Sequence, residues 1–306
     1  MRLVFAGTPV VAARTLSHLL DHTDHEVLAA ITRPDAPQGR SKRLVPSPVA
    51  QLAAERGLEV LRPASARDPE LAARLAELAP DAAVVIAYGA LIPQPVLDLP
   101  AHGWLNVHYS VLPRWRGAAP VQRAILAGDE ETGVTVFRLV PAMDAGPVLA
   151  TRTTPIGPDE TAGELLERLT PLGADLLAEV LTQVADGTAR AVEQPEEGIT
   201  LAGKLTVADA RLDWHRPADE LARQVRACNP SPMAWTTWSG DRFRVLRAEA
   251  VPGDLPAGTV QVSRREVLVG TGSGLLRLAQ VQPQGKAAMP AGAWANGLRG
   301  EPEPFE

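Results

Sequence analysis

The sequence has one cysteine, Cys228, in 306 residues. A single thiol excludes an internal disulfide framework and leaves too few thiolates for a cysteine-based zinc site. Long apolar runs are missing too. The opening MRLVFAGTPV places one arginine before a short apolar stretch broken by Gly7 and Pro9. That is too short for a secretory signal or for the roughly 20 apolar residues of a membrane span. The expectation is a cytoplasmic chain with no membrane partner. No H-E-x-x-H pair is present, so no metal is expected, and His18, His22 and His25 read as surface histidines. No G-x-S-x-G nucleophile elbow occurs. The first strand-to-helix turn reads Gly7-Thr8-Pro9-Val10 rather than G-x-G-x-x-G, which disfavours a nicotinamide or flavin enzyme. Lysine is scarce: of 30 basic residues only Lys42, Lys204 and Lys286 are not arginine.

What is present suits a globular protein. Hydrophobic residues make up 45% and charged residues 22%, enough for a substantial core. The 25 glycines and 28 prolines imply many turns. A net charge of −6 argues against a whole surface that binds nucleic acid but leaves room for a local basic patch. From the N-terminus, short continuous apolar runs (3–7, 26–32, 58–63, 81–89) alternate with amphipathic segments (10–22, 47–57, 69–80). That alternation predicts an α/β domain with a mostly parallel sheet covered on both faces, whose ligand sits outside the carboxyl ends of the strands. Further strands are expected at 103–109, 132–140 and 146–154, helices at 121–129 and 161–187, the last with a break near Pro171-Gly173. Residues 188–206 read as a linker, because 188–199 has no period and carries Pro195 and Gly198. From 207 to 306 one helix precedes short strands separated by Gly and Pro, the pattern of a small β-barrel.

Asn106-Val107-His108 is the most informative triplet. On a strand, positions i and i+2 share a face, so Asn106 and His108 project together while Val107 and Tyr109 point the other way. A carboxamide beside an imidazole suits acyl transfer: the amide can hydrogen-bond a developing oxyanion and the imidazole can move a proton near neutral pH. Asp144 also lies just past a strand end, where it could orient His108. The loop 33–43 holds Arg33, Arg40, Lys42 and Arg43 against Asp35, a net +3 suited to phosphate contact.

Several ordered segments carry a resemblance: FAGTP (5–9), TRPDAPQGRSKR (32–43), AYG (87–89), HGWLNVHYSVLPRWRGAAPVQRAI (102–125), MDAGPVL (143–149), AGKLT (202–206) and VRACNPSP (225–232). Together they resemble the methionyl-tRNA formyltransferase branch of the folate-dependent formyltransferases. The resemblance implies a Rossmann-like catalytic domain (1–187), a linker (188–206) and a C-terminal OB-like barrel that binds tRNA (207–306). It implies formyl transfer from 10-formyltetrahydrofolate to initiator methionyl-tRNA, by a monomer, without a metal. The family's catalytic trio maps onto Asn106, His108 and Asp144. Its folate-contacting segment maps onto Ser110, Val111, Leu112 and Pro113, its pterin pocket onto Tyr88, Gly89 and Ala90, and its tRNA-contacting loop onto Arg40, Lys42 and Arg43. Formyl transfer to a sugar amine or to glycinamide ribonucleotide, hydrolysis of formyl-folate, and a non-enzymatic RNA-binding module remain alternatives.

Overall fold

The computed structural model describes residues 1–38, 43–263, 266–298 and 302–306. The chain divides into two compact units. The first comprises Met1–Gly117, Thr132–Thr154 and Leu166–Leu201; the second comprises Ala118–Glu131, Pro155–Leu165 and Ala202–Glu306.

In chain order the first half runs β1 (Arg2–Gly7), α1 (Val10–His22), β2 (Glu26–Ile31), β3 (Ala36–Gln38), β4 (Arg43–Val45), α2 (Pro48–Glu55), β5 (Glu59–Leu61), α3 (Pro69–Leu78), β6 (Ala82–Ile86), α4 (Gln94–Leu97), β7 (Trp104–His108), α5 (Pro120–Ala127), β8 (Glu131–Arg138), β9 (Val148–Pro155) and α6 (Ala162–Ala185). Seven strands form one sheet in the order β5-β2-β1-β6-β7-β8-β9. The pairs from β5 to β7 are parallel, and β8 runs antiparallel to β7. Strands buried on both faces need continuous apolar runs, and β6 supplies one: all five residues of Ala82–Ile86 are buried. The helices start where the chain offers caps. Ser47 Oγ accepts from the Ala50 N–H at 3.1 Å, and Asp68 Oδ1 accepts from the Glu70 N–H at 3.0 Å, each just before a proline in the first turn.

The strand order reverses between β1 and β6, which marks the switch point of the sheet. The loops after these two strands are tied by Thr8 Oγ1 donating to the Tyr88 carbonyl at 2.9 Å. Gly7 is required by packing: a Cβ there would stand 2.6 Å from that of Ala12 in α1. The glycine-proline turn is therefore a close strand-to-helix approach, as the missing nucleotide fingerprint suggests.

Two expectations need correction. The α6 helix runs unbroken through Pro171. Proline removes one hydrogen bond to the carbonyl four residues earlier, but Pro171 and Glu167 both lie on the exposed face, where water can satisfy that carbonyl. Gly173 is on the opposite side, where a Cβ would meet Val107 at 2.8 Å. The basic segment is also not a plain loop, since β3 and β4 pair with Gln38 opposite Arg43.

The second unit contains α7 (Ala218–Cys228), β10 (Ala234–Trp238), β11 (Asp241–Val251), β12 (Val260–Val262), β13 (Val267–Gly270), β14 (Leu275–Pro283), β15 (Met289–Pro290) and α8 (Ala291–Ala295). Five strands pair in the order β10-β11-β14-β13-β12, with β15 on β14, and every pair is antiparallel. Along β11 the register shifts at Val245–Arg247 and Arg247–Ala248. Such irregularities bend a long strand, as a small barrel needs. Leu221 and Val225 of α7 pack into a core with Trp214, Phe243, Trp294 and Phe305. The Trp214 and Phe305 rings stack at 5.4 Å. Helix α5 belongs to this unit and packs on α7.

Candidate active site

The site forms where three strand ends of the first unit meet two turns. Asn106 and His108 leave β7 on one face, as alternation requires. Asn106 lies opposite Val85 of β6 and Phe137 of β8. His108 is 5% exposed, with the Phe137 ring edge-on at 6.3 Å. Its Nε2 lies 2.8 Å from the Trp115 carbonyl oxygen. A carbonyl can only accept, so this nitrogen carries the proton and Nδ1 is left as the lone-pair site. Nδ1 is 3.8 Å from Asp144 Oδ2. Burial pulls the His108 pKa below its ordinary value, while the Asp144 charge and the Trp115 carbonyl oppose that fall. The ring is therefore neutral at neutral pH and able to accept a proton.

Asp144 sits in the turn between β8 and β9 with φ of +48°. Its Oδ2 accepts from the Gly117 N–H at 2.7 Å, which aims the carboxylate at the histidine. Trp115 has φ of +64° and Ala87 has φ of +46°. Left-handed backbone at non-glycine residues costs about 1 kcal/mol or more and persists where the surroundings over-determine it. Here all three residues stand in the turns around Asn106 and His108.

A cavity of about 190 Å³ opens beside this group. Its walls include Tyr88, Gly89, Ala90, Ile92, Asn106 and Asp144. The structure thus brings the segment expected to hold the pterin, the Asn106 carboxamide and the Asp144 carboxylate to one space. The lining side chains are mostly apolar, with polar surface at backbone edges, Asn106 and Asp144, which fits a flat heterocycle with hydrogen-bonding rims. The volume falls below the roughly 300 Å³ of a drug-sized pocket, so it would admit a ring system rather than a whole folate.

The four residues from Ser110 to Pro113, expected to contact the folate, lie outside this cavity. Ser110 is buried and its Oγ donates to the Arg114 carbonyl at 2.6 Å. Thr135 Oγ1 donates to the Ser110 carbonyl at 2.7 Å and accepts from the Leu112 N–H at 3.2 Å. Val111 stands near Gly133 of β8. Ser110, Val111 and Leu112 therefore brace the site against β8, and neither they nor Pro113 line the cavity. Tyr109 is buried away from His108, against Gly173 of α6, and burial pushes its phenol up to about 12. Arg43 is exposed at the start of β4. Arg40 and Lys42 lie outside the described residues.

Sequence reasoning missed Gln194 and Thr200, both in the span read as a linker. Gln194 Nε2 donates to the Asp144 and Gly146 carbonyls, each at 2.8 Å. Thr200 Oγ1 accepts from the Trp115 N–H at 2.8 Å. An aperiodic, proline-bearing stretch gives no local signal for contacts this distant in sequence.

Comparison with known proteins identifies the family. The formyl transferase family matches residues 1–181, and the formyl transferase C-terminal domain matches 204–299. The chain is 53% identical to a methionyl-tRNA formyltransferase of Thermobifida fusca, across 100% of this chain and 99% of that protein. It is 52% identical to the one of Streptomyces coelicolor, across 98% and 97%. The crystal structure of an N-formyltransferase from Helicobacter canadensis, in complex with folinic acid and dTDP-3-aminofucose, superimposes with a TM-score of 0.67 at 16% identity, covering 92% of this chain and 99% of that one.

Proposed function

Since the chain belongs to the formyl transferase family, and within it to the methionyl-tRNA formyltransferases, we propose that it moves the formyl group of 10-formyltetrahydrofolate onto the α-amine of initiator methionyl-tRNA. The observation that carries the chemistry is the convergence of Asn106, His108 and Asp144 beside the cavity at the sheet's switch point. The neutral amine attacks the formyl carbon. A C–N bond forms, the carbonyl becomes an oxyanion, and the Asn106 amide donates a hydrogen bond to it. His108 Nδ1 takes the proton that the amine sheds, and Asp144 stabilises the resulting imidazolium. The bond from the formyl carbon to N10 of the folate then breaks, and the proton passes to N10. No side chain becomes acylated. Holding both reactants together supplies much of the rate.

Tyr88, Gly89 and Ala90 are the candidates to hold the pterin ring. Ser110, Val111, Leu112 and Pro113 would shape the donor site, and Arg40, Lys42 and Arg43 would meet the tRNA backbone. Residues 1–187 would serve as the catalytic domain and 207–306 as the tRNA-binding domain, in a monomer working in the cytoplasm. The second unit offers a face suited to a polyanion. Arg242 and Arg211 lie 4.3 and 5.6 Å from the Trp235 ring centre, and Arg244 lies nearby on β11.

The test is transfer of labelled formyl from 10-formyltetrahydrofolate to initiator and elongator methionyl-tRNA, assayed side by side. Transfer confined largely to the initiator is expected. Formate released without an acceptor would favour a hydrolase, and transfer to an amino sugar in place of tRNA would favour the sugar branch.

A further inference from the structure

We propose that Gln194 and Thr200 form a positioning brace that fixes Asp144 and the Trp115 turn around His108. The inference rests on the formyl-transfer reading. The Gln194 carboxamide uses its full hydrogen-bonding capacity. Its two N–H groups go to the Asp144 and Gly146 carbonyls at 2.8 Å each. Its oxygen accepts from Arg116 Nε at 3.0 Å and Nη2 at 2.7 Å. Only one orientation of the amide satisfies these partners, because the reverse would set oxygen against two carbonyls and NH₂ against a guanidinium.

Six residues further on, Thr200 takes the other turn. Its Oγ1 accepts from the Trp115 N–H at 2.8 Å, and its carbonyl accepts from the Arg116 N–H at 2.9 Å. These contacts act on the two turns that hold the catalytic pair. The Trp115 carbonyl fixes the His108 tautomer, and the Gly117 N–H aims the Asp144 carboxylate. Trp115 and Asp144 are both in left-handed backbone, φ +64° and +48°. Such turns relax unless something holds them. The segment 194–200 supplies six hydrogen bonds for that purpose from residues that touch no reacting atom.

The test compares the wild-type chain with Gln194→Ala, Thr200→Val, Asp144→Ala and the Gln194→Ala/Asp144→Ala double variant. The assay is formyl transfer to initiator methionyl-tRNA, with KM measured for both substrates. Gln194→Ala should lower kcat about 10²-fold, the scale of a misplacement near 1 Å. Both KM values should stay within about twofold. Thr200→Val should lower kcat in the same direction. In the Asp144→Ala background Gln194→Ala should cost almost nothing further, because its effect passes through that carboxylate. A merely structural role would cost the same in either background. Wild-type kcat in both single variants, or full additivity in the double variant, overturns the proposal. If Gln194→Ala does not fold, unchanged kcat in Thr200→Val overturns it alone. A wild-type chain that transfers no formyl to methionyl-tRNA overturns instead the reading on which the brace rests.

Discussion

One ring nitrogen of His108 is committed and the other is available. Nε2–H donates to the Trp115 carbonyl, and Nδ1 faces a carboxylate 3.8 Å away. Burial favours the neutral ring, and Asp144 is the charge that opposes it. Asp144→Asn keeps an oxygen for the Gly117 N–H and removes that charge. The substitution should lower kcat by about 10²–10⁴-fold, the usual share of a positioned acid-base group. It should also move the acid limb of kcat/KM to lower pH, since only the Trp115 carbonyl then opposes desolvation. A pH–rate profile checks both, and an unmoved limb would assign it to another group. Asn106 and His108 were legible because strand alternation alone puts them on one face. Asp144 was legible only as a residue past a strand end, since its left-handed turn and its bond to Gly117 are tertiary facts. Gln194 and Thr200 were not legible, because their partners lie about 50 to 85 residues away in sequence.

The strands and helices that build the sheet announced themselves by period. What they could not announce was close approach. Gly146 shows this in the turn that carries Asp144: a Cβ there would collide with the Arg138 carbonyl at the end of β8. Gly146→Ala should therefore displace the turn that carries Asp144. The expected result is a loss of transfer with a lowered Tm, measured by calorimetry alongside the assay. Short elements such as β3, β4, α4 and β10 went unseen in part because three to five residues hold too little pattern. Helix α6 ran through its proline on its exposed side, where water can satisfy the freed carbonyl. At the end of α7, Cys228 is fully buried and burial pushes its thiol up to about 12. Only the thiolate reacts, so a disulfide exchange reagent should modify the native chain far more slowly than the chain in denaturant. Equal rates would contradict the burial.

For the whole molecule, the two compact units do not follow one cut in the sequence. Residues 118–131 belong with the C-terminal unit. There Leu126 of α5 packs against the second core, and Arg123 Nε donates to the Gly203 carbonyl at 2.9 Å. A chain ending at Leu201 would strip α5 of these partners, and it should melt lower than the full chain or aggregate. Stability should also depend on pH. His25 and His108 both have pKa values held below 6.5, chiefly by burial. Below about pH 6.5 the unfolded chain therefore binds protons that the folded chain resists, so stability falls as pH falls. Denaturant midpoints from pH 7 to 5 should fall less steeply in His108→Gln than in wild type.

The central claim is that this chain transfers formyl to methionyl-tRNA through the His108 centre. The most direct test is the single-turnover rate from 10-formyltetrahydrofolate to initiator methionyl-tRNA, for wild type and His108→Ala, with donor binding measured in parallel. The account predicts rapid transfer by wild type and a loss of about 10²–10⁴-fold in the variant with donor binding retained. A variant that transfers at a near wild-type rate would contradict it.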